Sequence, residues 1–391
     1  MKATRRRVAP TTRTVGAALV AAACVLVAGC ASSAVSTAPT TPVPTGPPPL
    51  ATASASATGA GWAIVEMGGS AAQEDNFWEL FVRPAGTSTW RLATPTGVAD
   101  NGGLEVAGLG ASLVAGFRPS QDLTFSPLAA TRDDGASWSA AGPVTPGLAD
   151  APNALASGSG GQLIALTSGG TAELGTNTGK TWTRLASAQT IMATPAGHDC
   201  GLTGLTAATF ARAEVPMLAG GCSRPGTAGI FAEHGGSWQA AGPAMPRSLA
   251  HEDIDVLRLT ATGSGVVALL QAGSGAAASL IAAWSGAGKW AVSAPLRIGA
   301  GGLRATSTGP GRAVAVLVAG GDGETLSGPG SSWRALPRLP ASAAALALGP
   351  GAQVDALTAQ AGTFADWRLG AGARWRLAQT IHVTIPYGSS S

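Results

Sequence analysis

From residue 61 onward the chain is built from short runs, four to nine residues long, that are apolar throughout or alternate apolar with polar positions. Turns rich in Gly, Pro and Asp separate them. A period of two, or a brief apolar run between turn signals, predicts strands. Clear cases are 62–67 (WAIVEM), 77–82 (FWELFV), 104–109 (LEVAGL), 112–117 (SLVAGF), 163–166 (LIAL) and 314–318 (VAVLV). Residues 341–348 (ASAAALAL) have helical propensity, but their place in the series predicts a strand. Seven tryptophans, at 90, 138, 182, 238, 290, 333 and 375, follow turns at intervals of 48, 44, 56, 52, 43 and 42 residues. That is the length of a four-stranded unit that repeats. Only three strands (62–67, 77–82 and 89–93) precede the second unit, while 381–385 (IHVTI) has no partner of its own. The expectation is that 381–385 pairs with 62–67 and joins the two ends of the array.

The turn before Trp138 is the most complete: Thr131-Arg132-Asp133-Asp134-Gly135-Ala136-Ser137-Trp138. Asp133 and Thr131 can accept hydrogen bonds from the turn's own backbone. Gly135 can adopt a positive φ, and Trp138 opens the next strand with a large ring to bury. The octet resembles the Asp-box, or bacterial neuraminidase repeat. Weaker copies keep Gly179 with Asn177 before Trp182, Gly235 with Glu233 before Trp238, and the glycine alone at Gly330 and Gly372. The resemblance implies an all-β fold: a seven-bladed β-propeller of four-stranded blades, closed by the C-terminal strand and spanning 61–391. In that fold Thr131, Asp133, Gly135 and Trp138 form a structural turn.

The N-terminus has a different character. Lys2, Arg5, Arg6, Arg7 and Arg13 precede the apolar run 15–28, which is short for a membrane span. The run ends Val27-Ala28-Gly29-Cys30, which resembles the lipobox of bacterial lipoproteins. The resemblance implies a signal peptide over 1–29, a lipid on Cys30, and residence at the outer surface of the cell membrane. Residues 31–60 carry no charge and are dominated by Ala, Ser, Thr, Pro and Gly, so 30–60 reads as a lipidated cysteine and a linker. Removing 1–29 takes away five basic residues and no acid, leaving 19 basic against 21 acidic. The precursor's net charge of +3 therefore belongs to its leader, and nothing argues for nucleic-acid binding.

Of four cysteines, Cys24 leaves with the leader and Cys30 takes the lipid. Cys200 and Cys222 remain in an exported domain, which predicts a disulfide across the open end of a hairpin. The rival reading is a metal site using His198, Asp199 and Cys200, but no second cluster has ligand spacing.

Candidate chemistry is sparse. Phe81-Val82-Arg83-Pro84 loosely resembles the arginine motif of sialidases, and Tyr387 is the one tyrosine. A divergent sialidase-like glycoside hydrolase or lyase is the alternative reading. His251-Glu252-Asp253-Ile254-Asp255 is the densest polar cluster. Its Glu252, Asp253 and Asp255 offer oxygens to Ca²⁺, but the spacing fits no calcium loop, and a solvated acidic loop is the plainer reading. No catalytic residues, metal ligands or cofactor are assigned.

Strand direction places the Trp-marked turns on one face and the connections between units on the other. The second face gathers Asp100, Asp122, Asp150, Glu252, Asp253 and Asp255, a candidate acidic binding face. The first face is expected to carry Arg83, Arg132, Lys180, Lys289 and Arg374 toward the anionic membrane. The functional expectation is a monomeric, membrane-anchored, extracytoplasmic binding or scaffold module for a protein or glycan partner.

Overall fold

The computed structural model describes residues 51–383 apart from 56–59, 68–77, 96–103, 110–111, 118–127, 141–151, 159, 168, 177–180, 287, 350, 352, 361 and 371. Among the described residues, seven antiparallel meanders, each of four strands, follow one another in sequence order. Module 1 holds β1 (Ala51–Ala55), β2 (Gly61–Glu66), β3 (Trp78–Arg83) and β4 (Arg91–Leu92). Module 2 holds β5 (Leu104–Leu109), β6 (Ser112–Phe117), β7 (Leu128–Thr131) and β8 (Ser139–Ala140). Module 3 holds β9 (Pro152–Ser157), β10 (Leu163–Thr167), β11 (Thr171–Thr176) and β12 (Thr181–Ser187). Two short helices, α1 (Ala188–Met192) and α2 (Pro195–Cys200), lead into module 4.

Module 4 contains β13 (Leu202–Phe210), β14 (Pro216–Cys222), β15 (Gly229–His234) and β16 (Ser237–Ala240). Module 5 contains β17 (Ile254–Thr262), β18 (Gly265–Ala272), β19 (Ser279–Gly286) and β20 (Lys289–Val292), with β21 (Leu296–Arg297) added to β19. Module 6 contains β22 (Leu303–Thr308), β23 (Val314–Val318), β24 (Gly323–Leu326) and β25 (Arg334–Ala335). Module 7 contains β26 (Ala343–Leu348), β27 (Val354–Gln360), β28 (Thr363–Gly370) and β29 (Arg374–His382). Packing overrides the helical propensity of the alanine-rich segment. In β26, Ala343, Ala345, Leu346, Ala347 and Leu348 are all buried.

A strand with one face in each of two neighbours must be apolar on both sides. Two of the second strands show this in full: β10 and β23 are buried at every position. Hydrophobic clusters then join modules in order. Ile64, Leu80 and Val82 of module 1 pack with Val106 and Leu113 of module 2. Val114 and Leu128 meet Leu155 and Leu163 of module 3. Similar clusters tie modules 3 to 4, 4 to 5 and 5 to 6. One further cluster combines Phe81 and Trp90 of module 1, Leu317 of module 6, and Leu357 and Phe364 of module 7. Successive four-stranded meanders packed face to face are the architecture of a β-propeller.

Two expectations about the ends are corrected. Residues 381–382 do not pair with module 1. They continue β29, with Ile381 opposite Phe364 and His382 opposite Thr363, and 384–385 lie outside the described residues. The missing fourth strand of module 1 is β1, with Ala53 opposite Ala63. It lies inside the segment read as linker. The small residues ATASA hide a strand because their β-propensity is weak. The same strand pairs in parallel with β22, Ala51 opposite Ala305, so modules 1 and 6 share one eight-stranded sheet.

Candidate functional site

The turn at 131–138 is held by its own side chains. Thr131 Oγ1 accepts from Gly135 N at 2.9 Å, and Asp133 Oδ1 accepts from Ser137 N at 2.9 Å. Ser137 Oγ donates to Asp133 Oδ2 at 2.6 Å, and Thr131 Oγ1 to Asp133 Oδ1 at 2.6 Å. Gly135 has φ 83°. Hydrogen bonds from Ser137 and Thr131 hold the Asp133 carboxyl well below the usual carboxylate range. Glu233 plays a related part in module 4, accepting from Gly236 N.

Four of the marker tryptophans tie their module to the one before it. The indole N–H of Trp138 donates to Ala93 O, Trp290 to Ala241 O, Trp333 to Ala294 O and Trp375 to Pro337 O, at 2.7–3.2 Å. Each acceptor lies three or four residues beyond the previous module's marker tryptophan.

The two faces follow from register. Gly61 lies opposite Arg83, at the end where β3 turns into β4. Arg91, just past that turn, donates to the carbonyls of Asp133 and Asp134, so the Trp-marked turns of modules 1 and 2 share an end. At the other end, where β17 begins, Glu252, Asp253 and Asp255 are all exposed. Gly226 N donates to Glu252 O at 2.7 Å and Gly273 N to Asp253 O at 2.9 Å, which pins the backbone of this acidic loop from both sides. The Asp255 carboxyl is raised by partial desolvation and by Asp253. A Cβ at Gly221 would lie 2.9 Å from its Oδ1, so Asp255 rests against bare backbone. Among the described residues, no three His, Cys, Asp or Glu side chains converge as a metal site. Asp100, Asp122, Asp150, Lys180, Cys30 and Tyr387 lie outside the described residues.

Cys200 and Cys222 form a disulfide, with Cα atoms 5.1 Å apart. Cys200 comes from α2 rather than from a strand. Thr194 caps that helix by accepting from Gly197 N, and Gly201 ends it in the left-handed region at φ 62°. Cys200 is thereby committed to a disulfide, while His198 and Asp199 stay exposed.

Arg83 departs from expectation. It is not an exposed cation of the turn face, nor is it open to a substrate carboxylate. It is 4% exposed, paired with the fully buried Asp355, and its guanidinium lies 4.9 Å from the centre of the Trp90 ring. Gln353 Nε2 donates to the other Asp355 oxygen at 2.8 Å. Beside this pair, Arg368 donates to Asp366 Oδ2 at 3.0 Å and to the carbonyl of Ser88. Asp366 is fully buried, and its Oδ1 has no hydrogen-bond partner. Burial pushes the Asp366 carboxyl up to about 6, Asp355 adds to the rise, and Arg368 opposes it. The four charges bridge modules 1 and 7 as a packed seam. Of the other cations expected on the turn face, Lys289 and Arg374 are exposed.

No protein-family profile matches the chain, and no curated protein is similar to it in sequence. Solved structures are similar in fold. A protein from Lactobacillus plantarum superposes with a TM-score of 0.51 at 12% identity, over 83% of this chain and 96% of that one. YCF48 bound to D1 peptide superposes at 0.44 and 14% identity, over 89% and 95%. Virginiamycin B lyase from Staphylococcus aureus superposes at 0.45 and 12% identity, over 72% and 84%.

Proposed function

We propose that this chain is an exported lipoprotein whose propeller is a binding or scaffold module for a protein or glycan partner. In this reading, residues 1–29 are a signal peptide, Cys30 carries the lipid, and the following uncharged segment is the tether. The seven modules are the blades of one ring, with Asp-box turns on the side facing the membrane. The ring closes where modules 6, 7 and 1 share a core, not through a separate C-terminal strand.

The observation that carries the binding role is the Glu252–Asp253–Asp255 loop. Three exposed carboxylates sit on a backbone fixed by Gly226 and Gly273. A fixed loop on a rigid scaffold presents charge to a partner with little ordering cost on binding. A cationic patch is the complementary surface, and its association should weaken with salt.

The test is photo-crosslinking in the native cells, comparing the wild type with Glu252→Gln/Asp253→Asn/Asp255→Asn. Loss of a saturable crosslinked partner in the triple variant supports the reading; an unchanged yield overturns it. Anchoring is tested separately with Cys30→Ser, which should leave an unprocessed precursor or release the protein from membranes. Unchanged fractionation and acylation would exclude the lipid anchor.

A further inference from the structure

Module 7 has an outer strand of nine residues, β29, whereas the outer strand of module 6, β25, has two. The face of the module 7 sheet that looks toward module 6 is therefore left uncovered in its outer half. The crossover at 338–342 forms the opposite wall, and between them lies an open groove of about 740 Å³. Leu339, Trp367, Trp375 and Leu377 supply its apolar lining, with Arg338 at the edge. Leu377 is 53% exposed, the most exposed large hydrophobic side chain among the described residues. A leucine and half-buried tryptophans at one surface depression are the composition of a recognition site rather than of ordinary surface.

Charge selects the occupant. After Glu324 the sequence contains two acids, Asp355 and Asp366, and both are fully buried. Arg338 lines the groove and Arg334 is exposed in the same region, whereas Arg374 and Arg376, opposite Gly370 and Arg368, lie on the other face of β29. Hence no exposed acidic side chain after Glu324 offsets Arg334 and Arg338. The backbone adds a second requirement. β29 is hydrogen-bonded to β28 along one edge, and among the described residues no strand pairs with its other edge. A free edge beside an apolar groove accepts an extended chain, with alternate side chains dropping into the depression. A flat bilayer offers neither a strand nor a side chain shaped for a concave site.

We infer that this groove docks an extended, acidic segment of a partner protein, one that places an aromatic or aliphatic side chain between Trp375, Leu377 and Arg338. This rests on the binding-module reading above, narrows the partner to a protein, and adds a site distinct from the acidic loop.

The experiment is selection of a random-peptide display library on the immobilised full chain, followed by fluorescence anisotropy with the enriched peptides. Expected peptides combine acids with an apolar residue at alternate positions. Their affinity should fall about tenfold or more for Leu377→Glu and for Arg338→Glu, and stay unchanged for Lys289→Glu, an exposed cation of module 5. All three sites are exposed, and thermal melts confirm that the variants remain folded. Enriched peptides without acids, or equal binding to Leu377→Glu, would overturn the inference. So would displacement of the peptides by phosphatidylserine vesicles or dextran sulfate at comparable affinity, since the site would then read charge alone. If Leu377→Glu loses the peptides but the cellular crosslink is unchanged, the groove is real and serves another partner. If the crosslink depends on Glu252, Asp253 and Asp255 but no acidic peptide is selected, the binding-module reading stands and the groove inference fails.

Discussion

The side chain of Gln379 closes both backbone hydrogen-bonding groups of Trp90, accepting from its N–H at 2.7 Å and donating to its C=O at 2.7 Å. The two residues are 289 positions apart and belong to the last and first modules. An amide that pairs both groups of a buried residue does what a neighbouring strand would do, in one step. Gln379→Ala should leave both groups of Trp90 without this partner and cost about 1–3 kcal/mol. Urea denaturation measures this. Gln379→Glu retains the acceptor but loses the amide donor, so it should recover part of the loss at most. An unchanged midpoint for Gln379→Ala would show that the clamp contributes nothing to the seam.

Much of this fold was legible because its repeats punctuate themselves. The tryptophan intervals marked seven modules, and the runs at 104–109, 112–117 and 314–318 are the observed β5, β6 and β23. What escaped was long-range pairing. The apolar IHVTI looked like an independent strand, yet β29 runs straight into it with a bulge near Ala378. ATASA looked like linker because nothing in five small residues signals a strand, and only β2 and β22 on either side make it one. Asp355 and Asp366 were missed as well, although each sits alone in an apolar strand, VDAL and FADW. A lone carboxylate in such a run demands a buried partner, and Arg83 and Arg368 are those partners. The sequence offered the demand but not the address.

The Arg83–Asp355 pair makes an asymmetric prediction. Its members are 4% and 0% exposed. Removing one charge strands the other in a dry seam, so Arg83→Met or Asp355→Leu alone should cost about 3–5 kcal/mol. The double variant Arg83→Met/Asp355→Leu removes both desolvation penalties and should regain most of that loss. A double-mutant cycle by chemical denaturation measures the coupling. Strict additivity of the two single losses would contradict a direct pair.

Asp366 gives the seam a pH dependence of unusual sign. Its folded carboxyl is raised from 3.8 to about 6. The folded state therefore holds a proton that the unfolded state has released across that window. Linkage then requires stability to fall as pH rises from about 4 to about 6, and to change no further from this group above that. Asp366→Asn has no titrating proton and should flatten this part of the profile. Denaturation midpoints for both proteins at a series of pH values decide the matter. Parallel profiles would place the titration elsewhere.

The indole hydrogen bonds allow a comparison in which the order of two losses, not the size of either, is diagnostic. Trp138 Nε1 donates to Ala93 O at 2.8 Å, so Trp138→Phe deletes a bond between modules 1 and 2 and leaves a carbonyl short of a donor. The expected loss is about 1 kcal/mol beyond any change in packing. Trp90 occupies the equivalent place in module 1 but is 2% exposed, and its Nε1 has no partner. There the fold already bears the desolvation cost of an unmet donor. Trp90→Phe removes that donor, and the Phe364 ring, 6.2 Å away edge-on, remains to pack against the smaller side chain. The cavity left by the smaller ring opposes this gain. Trp90→Phe should therefore destabilise less than Trp138→Phe, although its ring is the more deeply buried. Burial alone predicts the reverse order. Thermal melts of the two variants beside the wild type separate the accounts, because only hydrogen-bond satisfaction puts the deeper tryptophan second.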